Sequence, residues 1–282
     1  KTQVIDADIS KYFDTIPHGR LLALMAKRVV DKNILRMIKL WLKVPVVEEG
    51  KDGKKRAEGN PKGTPQGGVI SPLLANIYLH VLDRIWRVKK VEERFKARLI
   101  RYADDFVVLC QGQTERVLKG IKTVLGDLEL SLNEDKTRLI DAKKQPFDFL
   151  GFTLEVKRSP KTGKMFPLIT PSEEAMTEIK AEVKALTCRR TLCLPKEVVI
   201  KKLNEVVRGW VGYFYYGNCS RALSTLKGFL DERVRIYLRR KHAKKSRGYK
   251  DYPYKYLYGN LGLYKIPTTA PWTQAVKASG RR

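Results

Sequence analysis

Two neighbouring acids, Asp104 and Asp105, interrupt the stretch RLIRYADDFVVLC (98–110), which otherwise consists largely of apolar and β-branched residues. This pattern predicts a β-hairpin with the acids near its tip. Neighbouring carboxylates repel one another and resist desolvation, so a fold that places them together normally has a cation to neutralise them. The pair is therefore a candidate metal site, although two acids in a solvated turn would give the same local pattern.

A strand-like run near the start of the chain, TQVIDADI (2–9), could supply a further ligand. Alternation places Asp6 and Asp8 on one face, and Asp8 lies near the carboxyl end of the run. If this strand lies beside the hairpin, Asp8 converges with Asp104 and Asp105 at one point. Three such carboxylates would hold two Mg²⁺ ions about 3.5–4 Å apart, an arrangement that activates a hydroxyl and stabilises a leaving oxygen in phosphoryl transfer.

The charge of the whole chain indicates what kind of partner it meets. Its 282 residues include 57 basic and 30 acidic side chains, which gives a net charge of +27 and an isoelectric point near 10.0. A surplus of this size predicts a polyanionic partner, with nucleic acid as the first candidate and a merely basic surface as the alternative. No apolar run approaches the roughly 20 residues of a membrane span, so no membrane partner is expected.

The cysteines exclude two further classes of site. Cys110, Cys188, Cys193 and Cys219 form no CxxC pair and have no histidine cluster nearby, which argues against zinc. Their spacing does not suggest a disulfide framework, so a reducing cytoplasmic setting fits best. The chain shows no signal peptide and no initiator Met, and we expect it to be a fragment of a longer protein.

Hydrophobic periodicity predicts the elements that would position these residues. Ser71 and Pro72 are typical of a helix start, with Ser71 as the N-cap. Residues 48–63 are polar and rich in Gly and Lys, which predicts a loop. Predicted strands cover 2–9, 97–102, 105–110, the extended segment 130–140 and the hairpin 146–156 with 164–169; predicted helices cover 18–30, 31–44, 71–88, 113–129, 172–187, 195–216 and 220–241. This order predicts an α+β domain followed by basic helices from about residue 170.

A resemblance to one protein family accounts for the acids, the basic charge and the order of the predicted elements. Several segments resemble, in order, the palm motifs of reverse transcriptases: DADISKYFDTIPH (6–18), NPKGTPQGGVISPLLANIYLHVLD (60–83), RYADDFVVL (101–109), LSLNEDKTRLI (130–140) and FDFLGF (147–152). In addition, LNEVVRGWVGYFYYG (203–217) resembles the thumb or maturase region of group II intron-encoded proteins. The resemblance implies an α+β polymerase palm over residues 1–169, with an antiparallel sheet flanked by helices. An α-helical thumb or maturase domain would follow over 170–245, and the basic segment 246–282 resembles the start of a DNA-binding region.

The same resemblance implies roles around the metal site. Asp8 and Asp104 correspond to the principal ligands of the two Mg²⁺ ions, and Asp105 to a third acid whose ligation is less direct. Ile9 would contribute its backbone carbonyl. Phe13 matches the aromatic residue that lies under the incoming sugar and leaves no room for a 2′-hydroxyl; the alternative is an ordinary core Phe.

Further residues would contact the template, the primer and the triphosphate. The loop Pro65–Gly67, with Gln66 at its centre, would approach the template–dNTP pair. Tyr102 would lie against the primer end, or else pack as an ordinary strand residue. Lys136 matches the lysine near the triphosphate and is a candidate general acid for the leaving pyrophosphate. The turn formed by Phe149, Leu150 and Gly151 matches the primer grip.

The helical region offers an electrostatic surface for RNA. The aromatic residues that could stack on bases beside Arg208 are Trp210, Tyr213, Phe214, Tyr215 and Tyr216. The helical spacing of Trp210, Tyr213 and Phe214, however, favours a place in the thumb core. The basic side chains that we expect to meet phosphates are Lys201, Lys202, Arg208, Arg239, Arg240, Lys241, Lys244 and Lys245. The alternative for the run RRKHAKKSR (239–247) is a solvated tail that contacts no phosphate.

As a reverse transcriptase of group II intron type, the protein would extend a DNA primer or target with dNTPs, and RNA would be the template. It would also bind intron RNA and assist splicing and mobility. It would work in a ribonucleoprotein, in the bacterial cytoplasm or an organelle, and a homodimer is left open. The alternatives are a non-enzymatic RNA-binding splicing factor on a polymerase scaffold and a retron- or CRISPR-type reverse transcriptase. The family's fingers region, upstream of DADIS, is not among these residues, so the activity of this fragment alone stays open.

Overall fold

The structure is a computed structural model that describes residues 1–49, 55–65, 67–160 and 162–270. The chain forms two compact units, Lys1–Gln145 and Pro146–Arg282. The division falls upstream of residue 169, where the resemblance places the end of the palm, because the strands after Pro146 pair with one another.

The first unit carries an antiparallel sheet with helices packed against it. Its elements are β1 (Gln3–Ala7), α1 (Tyr12–Thr15), α2 (His18–Ala26), α3 (Lys32–Leu42), β2 (Val46–Glu49), β3 (Lys55–Glu58), α4 (Ser71–Val88), α5 (Val91–Phe95), β4 (Arg98–Tyr102), β5 (Asp105–Cys110), α6 (Thr114–Asp127) and β6 (Arg138–Asp141). The sheet has the order β4-β5-β1-β6, and β2 pairs with β3 as a separate hairpin.

The core of this unit lies between the sheet and its helices. Ile5 and Val108 on the central strands are fully buried and belong to the same cluster as Leu21 of α2, Tyr78 of α4 and Ile121 of α6. The strands form because β-branched residues fit a pleated surface that is covered on its core side. The helices form because their apolar residues recur at the spacing of one helical face.

The second unit consists of a small antiparallel sheet and a helical bundle. Its elements are β7 (Phe147–Phe149), β8 (Phe152–Arg158), β9 (Met165–Pro171), α7 (Glu173–Leu186), a 3₁₀ turn (Arg189–Cys193), α8 (Lys196–Phe214), α9 (Ser220–Lys241) and a π-helical turn (Tyr256–Asn260). Ser172 follows the last strand and caps α7, since its hydroxyl accepts a hydrogen bond from the amide of Ala175 at 3.1 Å. The expected α+β palm with a following helical domain is confirmed.

Residues that follow α9, up to residue 270, pack against the helical bundle. We call residues 248–270 the C-terminal strap. Tyr252, Leu257, Leu263 and Ile266 of the strap are buried in the same cluster as residues of α8 and α9. This packing shows that the strap is part of the bundle core although its sequence lacks a regular period.

A buried polar network fixes the strap to α9. The Asp231 side chain is 2% exposed. Its carboxylate accepts hydrogen bonds from the Lys227 ammonium at 3.0 Å and from the Tyr258 hydroxyl at 2.5 Å. Arg235 donates from Nε to the carbonyl of Tyr252 at 3.1 Å. The buried carboxylate is therefore both neutralised and hydrogen-bonded, as burial of a charge requires.

Three local predictions were wrong. Ser71 is the first residue of α4 and not its N-cap, because its hydroxyl donates to the carbonyl of Pro65 at 2.7 Å. The predicted loop 48–63 contains part of the β2–β3 hairpin. The segment 130–140 is not continuously extended, because a turn over 133–137 separates the bridge at Leu132 from β6. Within the described residues, no helix is both long enough and apolar enough to span a membrane.

Candidate active site

The structure brings the three predicted acids to one end of the sheet. β1 pairs with β5 so that Ala7 lies opposite Phe106. The next residues along the two strands, Asp8 and Asp105, therefore face each other, and Asp104 lies beside Asp105 in the turn between β4 and β5. The predicted convergence of these carboxylates follows directly from the antiparallel register.

A strained turn presents Asp104, and an arginine supports it. Ala103 has a φ of 53°, in the left-handed region that costs a non-glycine residue about 1–2 kcal/mol. The Arg101 guanidinium donates to the carbonyl of Ala103 at 2.7 Å and to the amide oxygen of Asn76 at 2.9 Å. It also donates to both carboxylate oxygens of Asp83 on α4. Arg101 thus connects the turn to α4. The sequence did not predict this role, although the position of Arg101 two residues before the turn could have indicated it.

Burial and the neighbouring charges destabilise the ionised form of Asp105. Partial burial raises the pKa of Asp105, and the charges of Asp104 and Asp8 raise it further, whereas Lys136 lowers it. The Lys136 ammonium lies 3.3 Å from a carboxylate oxygen of Asp8. The candidate general acid is therefore at the acidic cluster itself.

A second residue missed by sequence reasoning, Asn133, positions Asp8. Its backbone amide donates to the carbonyl of Asp8 at 2.8 Å, and its side-chain amide lies 3.5 Å from a carboxylate oxygen of Asp8. The adjoining bridge between Ile9 and Leu132 continues this pairing. Asn133 lies within the segment LSLNEDKTRLI (130–140), three residues before Lys136. This position could have indicated that Asn133 lies near the acids.

The acidic cluster suits Mg²⁺ by the chemistry of its donors. Carboxylate oxygens are the hard ligands that Mg²⁺ prefers, and a divalent cation would relieve the repulsion that raises the pKa of Asp105. In the described part of the chain, no group of three or more His, Cys, Asp or Glu side chains is arranged as a coordination sphere. The Lys136 ammonium holds Asp8 instead. The carboxylate oxygens and their negative charge thus suit Mg²⁺, but the side chains are not arranged as a coordination sphere.

The raised pKa of Asp105 predicts an effect on stability. Ionised Asp105 is destabilised in the folded state. The contribution of Asp105 to the free energy of unfolding is therefore favourable below its unfolded pKa of about 4, and it is lost as the pH rises through the folded pKa. We expect Asp105→Asn to raise the melting temperature at pH 7 by about 1–3 °C and to have less effect below about pH 4. Thermal unfolding of both proteins at the two pH values measures this difference.

The matched control is Asp127→Asn, which removes one exposed carboxylate at the end of α6. Mg²⁺ should raise the melting temperature of the unmodified protein more than that of Asp105→Asn, since bound ligand stabilises the state that binds it. A melting temperature at pH 7 that is unchanged or lower in Asp105→Asn would contradict the electrostatic argument.

The other predicted substrate residues of the first unit differ in burial and in their contacts. Phe13 is half-buried and meets the Tyr12 ring edge-on, with centroids 5.6 Å apart. The Pro65 carbonyl accepts from the Gly68 amide and the Ser71 hydroxyl, and Gly67 has a φ of 84°. Gln66 lies outside the described residues. Tyr102 is 67% exposed at the end of β4, so its ring is open to a ligand.

The predicted primer grip is a tight two-residue turn in the second unit. Leu150 and Gly151 connect β7 to β8 with φ values of 50° and 76°, the backbone of a type I′ hairpin. The Tyr213 hydroxyl donates to the Leu150 carbonyl at 3.0 Å, and the Ser172 amide donates to the Gly151 carbonyl at 2.8 Å. A methyl group on Gly151 would lie 3.2 Å from the Phe214 ring. Aromatic residues of α8 therefore hold this turn.

The predicted phosphate-binding side chains separate into two groups. Most are at the surface: Lys201, Lys202, Arg208, Arg240, Lys244 and Lys245 are exposed, and Arg239 is partly exposed. Arg208 also lies over the Tyr264 ring at 5.2 Å. Lys241 differs, because its ammonium donates to the carbonyls of Leu192 and Leu194 at 2.8 and 2.7 Å. These bonds favour a structural role for Lys241 over phosphate binding.

The aromatic residues of α8 pack mainly within the second unit. The rings of Trp210 and Phe214 are 4.5 Å apart, and Phe152 of β8 lies 5.0 Å from Phe214. The Trp210 indole donates to the carbonyl of Ala175 at 3.3 Å. This packing favours the core alternative for Trp210 and Phe214, whereas Tyr213 is 55% exposed.

Comparisons with known proteins agree with this layout. A family model for reverse transcriptase (RNA-dependent DNA polymerase) matches residues 1–154, and one for the group II intron, maturase-specific domain matches residues 176–256. Protein YkfC of Escherichia coli (strain K12) is 31% identical, over 65% of this chain and 54% of its own length. The group II intron-encoded protein LtrA of Lactococcus lactis subsp. cremoris is 29% identical, over 55% of this chain and 35% of its own length.

The chain therefore spans about half of YkfC and about a third of LtrA. A structure of telomerase from Candida albicans aligns over 94% of this chain and 51% of its own, with a TM-score of 0.49 and 12% identity, too distant a likeness to support an argument. The reverse transcriptase model, in contrast, covers more than half of the chain. The chain thus belongs to the reverse transcriptase family, within the group II intron reverse transcriptases and maturases.

Proposed function

We propose that this chain provides the palm and thumb of an RNA-directed DNA polymerase of group II intron type. The observation that carries the proposal is the meeting of Asp8, Asp104 and Asp105 at one end of the sheet with Lys136 beside them. A purely structural role gives no reason to place three acids where they raise the pKa of Asp105. Nucleotidyl transfer supplies that reason, because it requires metal ligands at one point.

Each residue of the site would have a distinct task. Asp8, Asp104 and Asp105 would hold two Mg²⁺ ions, which when bound would lower the charge on the reacting phosphate and favour the nucleophilic form of the primer 3′-hydroxyl. The Lys136 ammonium, beside Asp8, would donate a proton to the leaving pyrophosphate. Phe13 would exclude nucleotides that carry a 2′-hydroxyl.

The second unit would bind RNA through its basic surface. The match to the maturase-specific domain covers 176–256, a range that includes α8, α9 and the first part of the strap. We propose that this surface binds intron RNA and assists splicing, in a ribonucleoprotein of a bacterium or an organelle. RNA template, DNA primer and dNTPs would be the partners of the first unit.

The direct test is primer extension on an RNA template with dNTPs and Mg²⁺. Extension that requires the template would support the polymerase. RNA binding without extension, at saturating nucleotide and Mg²⁺, would point either to a need for the family's fingers region or to a non-enzymatic splicing factor. Extension restored by adding a fingers segment would support the polymerase, and its continued absence would favour the splicing factor. That second candidate has its own support, since the maturase-specific match lies within a separate compact unit.

The basic surface predicts a salt dependence of RNA binding. Arg240, Lys244 and Lys245 are exposed at and just beyond the end of α9. If each meets a phosphate, replacing all three by alanine should reduce the slope of log affinity against log salt by about 2–3, since each lost contact releases about 0.7–0.9 fewer counterions. Titrations of the same RNA at several salt concentrations measure this slope.

Lys32, Lys39 and Lys43, exposed around α3 in the first unit, form the matched control set. Replacing these three by alanine removes the same charge and should change the slope less. Equal changes in both triple variants would mean that the overall charge binds RNA, and that Arg240, Lys244 and Lys245 form no specific contact surface.

A further inference from the structure

The loop before Pro65 is bonded to the turn that carries Phe13. The Thr64 amide donates to the Phe13 carbonyl at 2.6 Å, and the Gly63 amide donates to the Ile16 carbonyl at 2.8 Å. The backbone of residues 63–64 thus runs along the backbone of residues 13–16. These contacts join two segments that are about 50 residues apart in the sequence and that belong to different motifs.

Gly63 leaves no space for a side chain. Its φ is 87°, which disfavours every residue except glycine. A Cβ atom at this position would lie 2.6 Å from the Phe13 carbonyl oxygen and 2.7 Å from the Asp14 Cα atom. Both atoms belong to the backbone, so a larger residue would have to push the loop and the Phe13 turn apart.

His18 closes the contact from the other side. Its Nε2 atom lies 2.6 Å from the Gly63 carbonyl oxygen, and only a ring nitrogen that carries a proton can donate to that oxygen. His18 is the first residue of α2, so the helix holds the ring in place. Thr64 is 2% exposed, and its hydroxyl has no partner among the described residues. The loop is therefore buried against the Phe13 turn.

We propose that Gly63 and His18 are positioning residues that set the selectivity of this polymerase for deoxyribonucleotides. The inference rests on the proposed function and on the role of Phe13 within it. Discrimination against a 2′-hydroxyl depends on where the Phe13 ring lies relative to the sugar. A contact that fixes the Phe13 backbone therefore controls selectivity without touching the nucleotide. Displacements of about 1 Å can change reaction rates by about 100-fold, so a displaced loop should have a measurable effect.

The test compares kcat/KM for a dNTP and the matching rNTP in four variants. Gly63→Ala and His18→Leu should each reduce the preference for the dNTP by about tenfold or more. His18→Gln keeps a donor for the Gly63 carbonyl and should retain most of the preference. Phe13→Ala should reduce the preference most, because it removes the ring itself. Thermal unfolding of each variant separates an altered site from an unfolded protein.

The pattern of results distinguishes the inference from the proposed function. If Phe13→Ala lowers selectivity while Gly63→Ala and His18→Leu do not, the positioning role is overturned and the polymerase stands. If no variant changes selectivity, the role given to Phe13 is wrong. Loss of selectivity in His18→Gln equal to that in His18→Leu would overturn the hydrogen bond as the cause.

A second measurement does not depend on activity. The amides of Gly63 and Thr64 are protected by the bonds to Ile16 and Phe13, so their hydrogen exchange reports whether the contact is formed. We expect His18→Leu to accelerate both amides by about fivefold or more, and His18→Gln to leave them nearly unchanged. Unchanged exchange in His18→Leu would overturn the proposal even if the chain extends no primer.

Discussion

Replacing Asp104 with alanine is expected to abolish template-directed primer extension and to leave RNA affinity within about twofold of the original. Asp104 is one of three acids that meet at the end of the sheet, and its loss removes a proposed metal ligand. Metal-assisted charge stabilisation contributes several kcal/mol at a transition state, so the rate should fall by at least about 1,000-fold. Single-turnover extension and RNA titration in the same samples measure the two effects.

Asp127→Asn serves as the control, because it removes an exposed acid of the same unit that lies at the end of α6. It should extend primers at the original rate. Measurable extension by Asp104→Ala above the level of the Asp8→Ala variant would show that Asp104 is not a principal ligand. A parallel loss of RNA binding would indicate a folding defect, which thermal unfolding would reveal.

Replacing Gly217 with alanine is expected to destabilise the second unit by about 2–4 kcal/mol. Gly217 lies between α8 and α9 with a φ of 59°. A Cβ atom there would lie 2.8 Å from the Ile169 carbonyl oxygen and 2.9 Å from the Ile169 Cβ atom. The same carbonyl accepts from the Asn218 amide at 2.7 Å, so the substitution would separate the corner from β9. Chemical denaturation followed by helical circular dichroism measures the loss.

Gly209→Ala is the matched control in the preceding helix, α8. Nothing lies within 4 Å of a Cβ atom at Gly209, which is exposed inside α8. Alanine there should stabilise the helix by about 0.5–1 kcal/mol, because glycine loses more conformational freedom on folding. Similar small effects of both substitutions would refute the steric argument for Gly217.

The sequence predicts long regular elements and the acids that they carry. The helix predicted over 220–241 has those bounds in the structure, since its apolar residues keep a helical period for its whole length. The meeting of Asp8 with Asp104 and Asp105 needs only the pairing of two predicted strands. Local periodicity and strand register are enough for such features.

Features that depend on contacts distant in sequence could not be predicted in this way. The salt bridge between Lys136 and Asp8, and the bonds of Asn133 to Asp8, join segments more than 100 residues apart. The irregular strap shows no period, because its buried residues are spaced by the grooves of the bundle and not by one repeating backbone geometry.

The strap also limits how this protein can be recombined in evolution. The Asp231 carboxylate in α9 depends on the Tyr258 hydroxyl, and the bundle core depends on Leu257 and Ile266. A gene fusion that joined a new domain directly after α9 would leave a buried carboxylate short of a partner and an apolar surface open to water. We therefore expect α9 and its strap to be inherited as one module.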